Sequence, residues 1–555
     1  MGIPSYYKKL VTTVKGLTGK TIGNTTANYL WFDFNCLVYH VLRRMPAFRP
    51  EDRAAWEAEL IAETVAYTKK VVQASGVAIG LASVFLGVDG PVPAAKVNQQ
   101  RRRRWNSLQT LEEERRLGKQ DGSPVWDRNA LTPGTHFMDA LSAALAAEAP
   151  GRWTLSPVTE AGEGEHKIME RLRASGEKEP HNHVIYGLDA DLILLALYHT
   201  RFLHPDSTLY LMREDEREEK AFSYLNIHKL RDSLTATIKR GSETAEAALT
   251  DYIFAMTLLG NDFLPHGLAL ALKGDGYEHL IRMLGQHDRP PLIIPQSPEN
   301  PSLEWNPAGL AYMFRYYAGL EEGLVADQIQ HKREGVRRKV VYGDDEAEPW
   351  ARGYSQWMKT PSRRMDEYAL VEAVYEDSVK MKAGWRATYY KAWFGSAQRR
   401  GPCEAYIQGL HWVLRYYTGQ SINPFWYYPW NLPPLYSDLS YSVSIMGDKG
   451  GSTKGNDFLA QVKGAPAGLG VLTPVEQCAL VMPAESLHLC KDVRYHSLPQ
   501  VVPHFYPTSC RMFYVGKHQM WECEPLLPML TIARLRALIS PPCGSTECKP
   551  LRLNP

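Results

Sequence analysis

Three short apolar runs in this chain each carry an acid at their end: "YLWFDF" at Asp33, "SVFLGVD" at Asp89, and "HVIYGLDAD" at Asp189 and Asp191. Runs this short, rich in aromatic and β-branched residues, read as buried strands, and stretches of helical periodicity separate them. That alternation specifies an α/β fold built on a parallel sheet. Open parallel sheets bind ligands beyond the carboxyl ends of their strands, so the pattern that sets the fold also puts carboxylates at the binding edge.

Further acids follow the same logic. "GEGEHKIMERL" places Glu163 and Glu165 in a glycine-flanked turn entering a helix, and "LLGNDFLPH" places Asp262 just after an apolar helix. Any one of these carboxylates is explained by helix capping. Seven gathered at one edge repel one another and call for hard divalent cations. Asp33, Asp89, Glu163, Glu165, Asp189, Asp191 and Asp262 are therefore the candidate catalytic and metal-binding residues, for two Mg²⁺ ions with Mn²⁺ as a substitute. A pair of such ions suits phosphodiester hydrolysis. His166 and His266 stand next to these acids, and a structural role is expected for them because Mg²⁺ prefers oxygen.

Directly after Asp89 comes "VPAAKVNQQRRRRW". On a helix, Lys96, Gln100, Arg103 and Arg104 fall at i, i+4, i+7 and i+8 and share a face, while Arg101 and Arg102 turn away. Such a face is a socket for a phosphate, with arginine forks and a lysine point charge. An arginine run elsewhere reads better as a solvated face paired with acids such as those of "LEEERRLG". Its place beside Asp89 favours the socket. The formal net charge of the 555 residues is only +2, so recognition of a polyanion has to be local.

Eight cysteines are scattered without a CxxC pair, which points to a reducing compartment and no zinc site. The longest apolar stretches, such as "LILLALY", are too short to cross a bilayer, and "MGIPSYYKKL" lacks a signal-peptide core. A cytoplasmic or nuclear protein is expected, neither secreted nor membrane-bound, with an organelle left open. The expected organisation is a catalytic unit over residues 1–325, a charged linker or insertion over 326–365, a mostly helical aromatic-rich region over 366–540, and a flexible tail over 541–555.

The motifs "MGIPSYYKKL", "DFNCLVYH", "VDGPVPAAKVNQQRRRRW", "LTPGTHFM", "GEGEHKIM", "GLDADLILLAL" and "LLGNDFLPH" occur in the order and spacing of the Xrn-type 5′→3′ exoribonucleases. The later "YIQGLHWVLRYYTG", "FWYYPW", "TPVEQCALVMP", "HFYP" and "EPLLPML" resemble that family's second conserved region. The resemblance implies a PIN-like or flap-nuclease-like α/β catalytic domain braced by a helical second region. It implies the same seven acids as metal ligands and Lys96, Gln100, Arg103 and Arg104 as a 5′-phosphate pocket. The substrate would be single-stranded RNA with a 5′-monophosphate, hydrolysed processively to 5′-mononucleotides. Bases would stack on an aromatic at Tyr39 or the neighbouring His40, and on Trp426, where "NPFWYYP" departs from the family's "SWxWYYP". No zinc-knuckle pattern is present, so the subfamily stays open. Two other readings share the acids: a catalytically silent RNA-binding or assembly scaffold, and a flap-type structure-specific endonuclease, which has no need of the basic socket.

Overall fold

A computed structural model describes residues 5–22, 26–76, 83–119, 123–148, 153–187, 189–215, 221–272, 274–294, 303–341, 349–396, 398–448, 462 and 471–539. Its centre is a seven-stranded sheet of β1 (Thr18–Gly19), β2 (Tyr29–Asp33), β3 (Ser83–Gly87), β4 (Trp153–Ser156), β5 (Asn182–Tyr186), β6 (Thr208–Glu214) and β7 (Phe222–Asn226), in the order β1-β7-β6-β5-β2-β3-β4. β2 through β6 run parallel to their neighbours, and β7 and β1 are antiparallel additions at one edge. The expected parallel sheet is present.

Alternation along each strand feeds two separate cores. Trp31, Phe85 and Ile185 point into one, and Leu30, Phe32, Val84, Leu86, Val184 and Tyr186 into the other. Both faces are therefore covered, which is why these strands read as continuous apolar runs. From β2 the chain proceeds outward to β3 and β4, then returns to lay β5 on the other flank of β2. That reversal opens a crevice at the carboxyl ends of β2 and β5.

The helices that bear on this crevice are α1 (Asn35–Leu42), α2 (Ala94–Arg116), α3 (Gly164–Ala174), α4 (Asp191–His199), α5 (Pro307–Val341), α6 (Arg400–Thr418) and α7 (Pro474–Val481). α6 is buried on every side from Tyr406 to Thr418, as befits a helix enclosed between two units. α7 lies against α2, and the Arg101 guanidinium donates to the Leu480 carbonyl at the end of α7, 2.9 Å away. The second region thus docks directly on the basic helix.

Residues 326–365, expected as a charged linker or insertion, are largely helical where they are described. α5 runs through residues 326–341, and Pro349–Met358 and Thr360–Arg363 are also helical. One of its charges is internal: Lys332 is 2 % exposed and pairs with Glu367 at 2.7 Å, on the same helix as the buried Val325 and Ile329. The expected tail, 541–555, lies outside the described residues.

Candidate active site

The acids reach the crevice by different local devices. Asp33 is the last residue of β2. A side chain on Gly164 would put its Cβ 2.4 Å from the Gly87 carbonyl and 2.7 Å from Asp33 Oδ1, so only glycine lets α3 begin directly on these strand ends. Asp89, two residues past β3, accepts from the Gly164 amide at 2.8 Å and from the Asn35 side chain at 2.9 Å. The Asn35 amide oxygen in turn accepts from the Asp89 backbone at 3.3 Å.

Glu163 and Glu165 occupy the N-terminal end of α3, and Asp191 opens α4, where amide donors and the helix dipole favour anions. Asp262 sits in a loop fixed by the Asn261 side chain, which accepts from the Phe263 and Leu264 amides at 2.9 Å each.

The seven carboxylates converge. Asp33 is raised well above the ordinary range, first by burial and then by Asp89, Asp189, Glu163 and Asp191. Burial likewise lifts Glu165, with Asp191, Glu163 and Asp33 adding to it. Asp191 is pushed up to about 7 by burial and by Asp262 and Asp189. Asp262 goes the other way: burial alone would raise it, but the Lys96 ammonium holds it well below the usual value. Groups this strained need compensating positive charge.

Residues present fit a divalent cation. Glu165 Oε2 and Asp191 Oδ1 are buried without a hydrogen-bond partner among the described residues, and Glu163, Glu165 and His166 can each direct a ligand atom to within 4.8 Å of the others. Oxygen donors in this number suit a hard ion.

The basic helix divides its labour more finely than its spacing suggests. Lys96, expected in the phosphate socket, has its ammonium 2.5 Å from Glu163 and 2.7 Å from Asp262. The excess of buried carboxylates draws in the nearest cation, so Lys96 contacts the acid cluster from the basic helix. Gln100 and Arg104 form the next turns, with the Arg104 guanidinium donating to Thr132 at 2.8 and 3.0 Å, and Arg103 is exposed. Arg101 and Arg102 turn away as expected, to Leu480 and Glu524.

Of the three aromatic candidates, His40 is engaged elsewhere: its ring stacks on Tyr67 at 4.7 Å and its Nδ1 lies 3.5 Å from Glu214. Tyr39 is half-buried and close enough to Arg104 to act on its charge. Trp426 begins a stacked column, Trp426 on Trp412 at 5.4 Å, Trp412 on Tyr416 at 5.0 Å and Tyr416 on His166 at 3.9 Å. The column carries the second region to the acids, where the Tyr416 hydroxyl donates to Glu163 Oε2 at 2.9 Å. Burial holds the His166 imidazole well below its ordinary pKa, hence neutral. Beside Asp262, between Arg103 on α2 and Tyr427 and Trp430 of the second region, a cavity of about 240 Å³ opens.

Sequence reasoning missed Asn35 and Tyr416. Asn35 follows Asp33 by two residues, a signal that was readable. Tyr416 carried none, because an aromatic in an apolar helix looks the same whether it supports a core or a site.

A family profile described as "XRN 5'-3' exonuclease N-terminus" matches residues 1–215, and one described as "Xrn1 helical domain" matches 344–541. A protein of Emericella nidulans named 5'-3' exoribonuclease 2 is 27 % identical, over 94 % of this chain and 67 % of its own length. The Schizosaccharomyces pombe protein of that name is 32 % identical over 46 % of this chain and 31 % of its own. The human protein named 5'-3' exoribonuclease 1 is 25 % identical over 81 % of this chain and 29 % of its own. The chain thus spans about two thirds of the length of the fungal relatives that match it end to end, and less of the human one.

Proposed function

The chain belongs to the Xrn-type 5′→3′ exonuclease family, and from that premise we propose that it is a 5′→3′ exoribonuclease acting on single-stranded RNA with a 5′-monophosphate and releasing 5′-mononucleotides processively. One observation carries this reading: a single helix, α2, reaches the acid cluster at one turn and carries the basic notch on the next ones. Lys96 stands among the carboxylates, and Gln100, Arg103 and Arg104 follow one to two turns later, about 6 to 12 Å along the axis. A strand whose terminal phosphate rests on the later turns has an internal phosphodiester near the acids.

Asp33, Asp89, Glu163, Glu165, Asp189, Asp191 and Asp262 would hold the cations, two Mg²⁺ ions in this proposal. Bound there, divalent ions supply Lewis acidity and activate water for in-line displacement. The chain's own residues do the rest. Asn35 and the Gly164 amide fix the orientation of Asp89, Tyr416 fixes Glu163, and Lys96 offsets charge between Glu163 and Asp262. Arg103 and Arg104 grip the terminal phosphate, and Tyr39 and Trp426 stack bases without reading sequence. In this proposal the helical wall formed by α6 and α7 excludes a duplex and admits a single strand.

The test is direct. Purified protein with Mg²⁺ is given 5′-monophosphate, 5′-hydroxyl and 5′-triphosphate RNAs of equal sequence. Mononucleotides released from the first alone are expected, and equal attack on all three would sink the pocket.

A further inference from the structure

An amide side chain presents an acceptor at one end and donors at the other, and a phosphate accepts only donors. Gln100 serves a phosphate notch only if its NH₂ group, and not its oxygen, is turned outward. The surrounding bonds decide which. Gln100 Oε1 accepts from Gln477 Nε2 at 3.3 Å and from Arg104 Nη1 at 3.4 Å. With its oxygen occupied on both sides, the NH₂ group is the end left to offer.

Gln477 is itself oriented by a group that cannot be reversed. Its Oε1 accepts from the Val92 backbone amide at 2.7 Å, a donor by nature, so its NH₂ must face Gln100. Turning either amide over would set donor against donor in a buried place, since Gln477 is fully buried and Gln100 is 9 % exposed. The relay has a firm base. α7 begins with a capping box in which Thr473 and Glu476 exchange hydrogen bonds, and Arg536 pairs with Glu476 at 2.7 Å. The far end is anchored as well, because Thr132, which takes the Arg104 guanidinium, spends its own proton on the Asn129 carbonyl at 2.7 Å.

We propose that Gln477 is a positioning residue that fixes the polarity of the Gln100 amide, so that recognition of a 5′-phosphate by α2 is governed from the second region. The inference rests on the nuclease reading for the identity of the ligand, but not on turnover. Val92 lies three residues past Asp89, so one side chain sets the notch and steadies the loop of the acid cluster together.

The experiment uses the full chain in EDTA, where binding is read without cleavage. Fluorescence anisotropy compares a 5′-phosphorylated RNA with a 5′-hydroxyl RNA of the same sequence, for the wild type, Gln477→Met and Gln477→Glu. The methionine leaves the Gln100 amide oriented by the 3.4 Å Arg104 contact alone. The glutamate keeps the bond from Val92 but offers a second acceptor, drawing the Gln100 NH₂ inward. Both variants are expected to lose about tenfold of the preference for the phosphorylated strand, as for one donor to a charged group. Affinity for the hydroxyl strand should stay near the wild-type value. A purely structural role would weaken both strands alike, in step with melting temperature, and that result would overturn the inference, as would variants that keep the full preference. A wild type without preference would bring down the notch and this inference together. Lack of cleavage with the preference intact would bring down only the enzyme reading.

Discussion

Tyr416, contributed by a helix of the second region, donates its hydroxyl to Glu163 at 2.9 Å across 253 residues of sequence. The phenol stays neutral, since burial raises its pKa well above the ordinary value. It therefore acts as a fixed donor to one of the acids proposed to hold a cation. Tyr416→Phe keeps the ring on His166 and removes only that bond. The Mg²⁺ concentration giving half-maximal hydrolysis should rise about 10-fold or more, the usual effect of losing an outer partner of a ligand. An unchanged metal titration would show that Glu163 needs no such support.

Asp191 combines nearly complete burial with an oxygen lacking a partner among the described residues. Asp191→Asn keeps the shape and removes a charge that its neighbours oppose. In EDTA the variant should be more stable than the wild type, by about 1–3 kcal/mol in a denaturant titration. Mononucleotide release should vanish while RNA binding persists. Wild-type hydrolysis would remove Asp191 from the site.

A pH dependence follows with a definite sign. The folded pKa of Asp191 is about 7, above its ordinary 3.8, so the folded state binds the extra proton. That contribution is complete below pH about 4 and is lost as pH rises through about 7. Asp33 and Glu165 shift in the same direction. The melting temperature in EDTA should therefore fall between pH 5.5 and 7.5 by comparison with protein in Mg²⁺, and the stabilisation by Mg²⁺ should be larger at pH 7.5. Equal stabilisation at both values would contradict the raised carboxylates.

Arg103 is exposed, so its loss should leave the fold intact. Arg103→Ala should reduce discrimination between 5′-monophosphate and 5′-hydroxyl RNA by about 1–3 kcal/mol, read as the ratio of kcat/KM values. A variant with unaltered discrimination would assign the terminal phosphate to other residues.

Lys332 tests the continuity of α5. Lys332→Ala leaves the Glu367 carboxylate buried with only the Gly516 amide for company among the bonds described, and should destabilise the protein by about 3–5 kcal/mol. Lys332→Met, which fills the space without restoring the charge, should suffer a comparable loss unless Glu367→Gln is introduced with it. A flexible linker at this position would tolerate all three changes without effect on melting.

The acids were legible in the sequence because a parallel sheet obliges each buried strand to end at the binding edge, and Asp33, Asp89 and Asp189 mark those ends. The basic face was legible for a similar reason, the helical period of Lys96 to Arg104. What the period could not reveal was competition: Lys96 lies within reach of two carboxylates, and no spacing rule says which partner a cation takes. The engagement of His40 with Tyr67 and Glu214 was not legible either, because both partners are remote in sequence and silent about the contact. The run "HKREGVRRK" reads as solvent-facing because charge is normally exposed, and the burial of Lys332 depends on Glu367, its partner across the fold.

The reach of Tyr416 and Gln477 into the strand ends also bears on how the molecule comes into being. All seven carboxylates are translated by residue 262, yet the groups that steady Glu163, Val92 and Gln100 emerge from the ribosome 154 to 215 residues afterwards. A half-made chain thus carries all seven carboxylates before the side chains that steady them have been added.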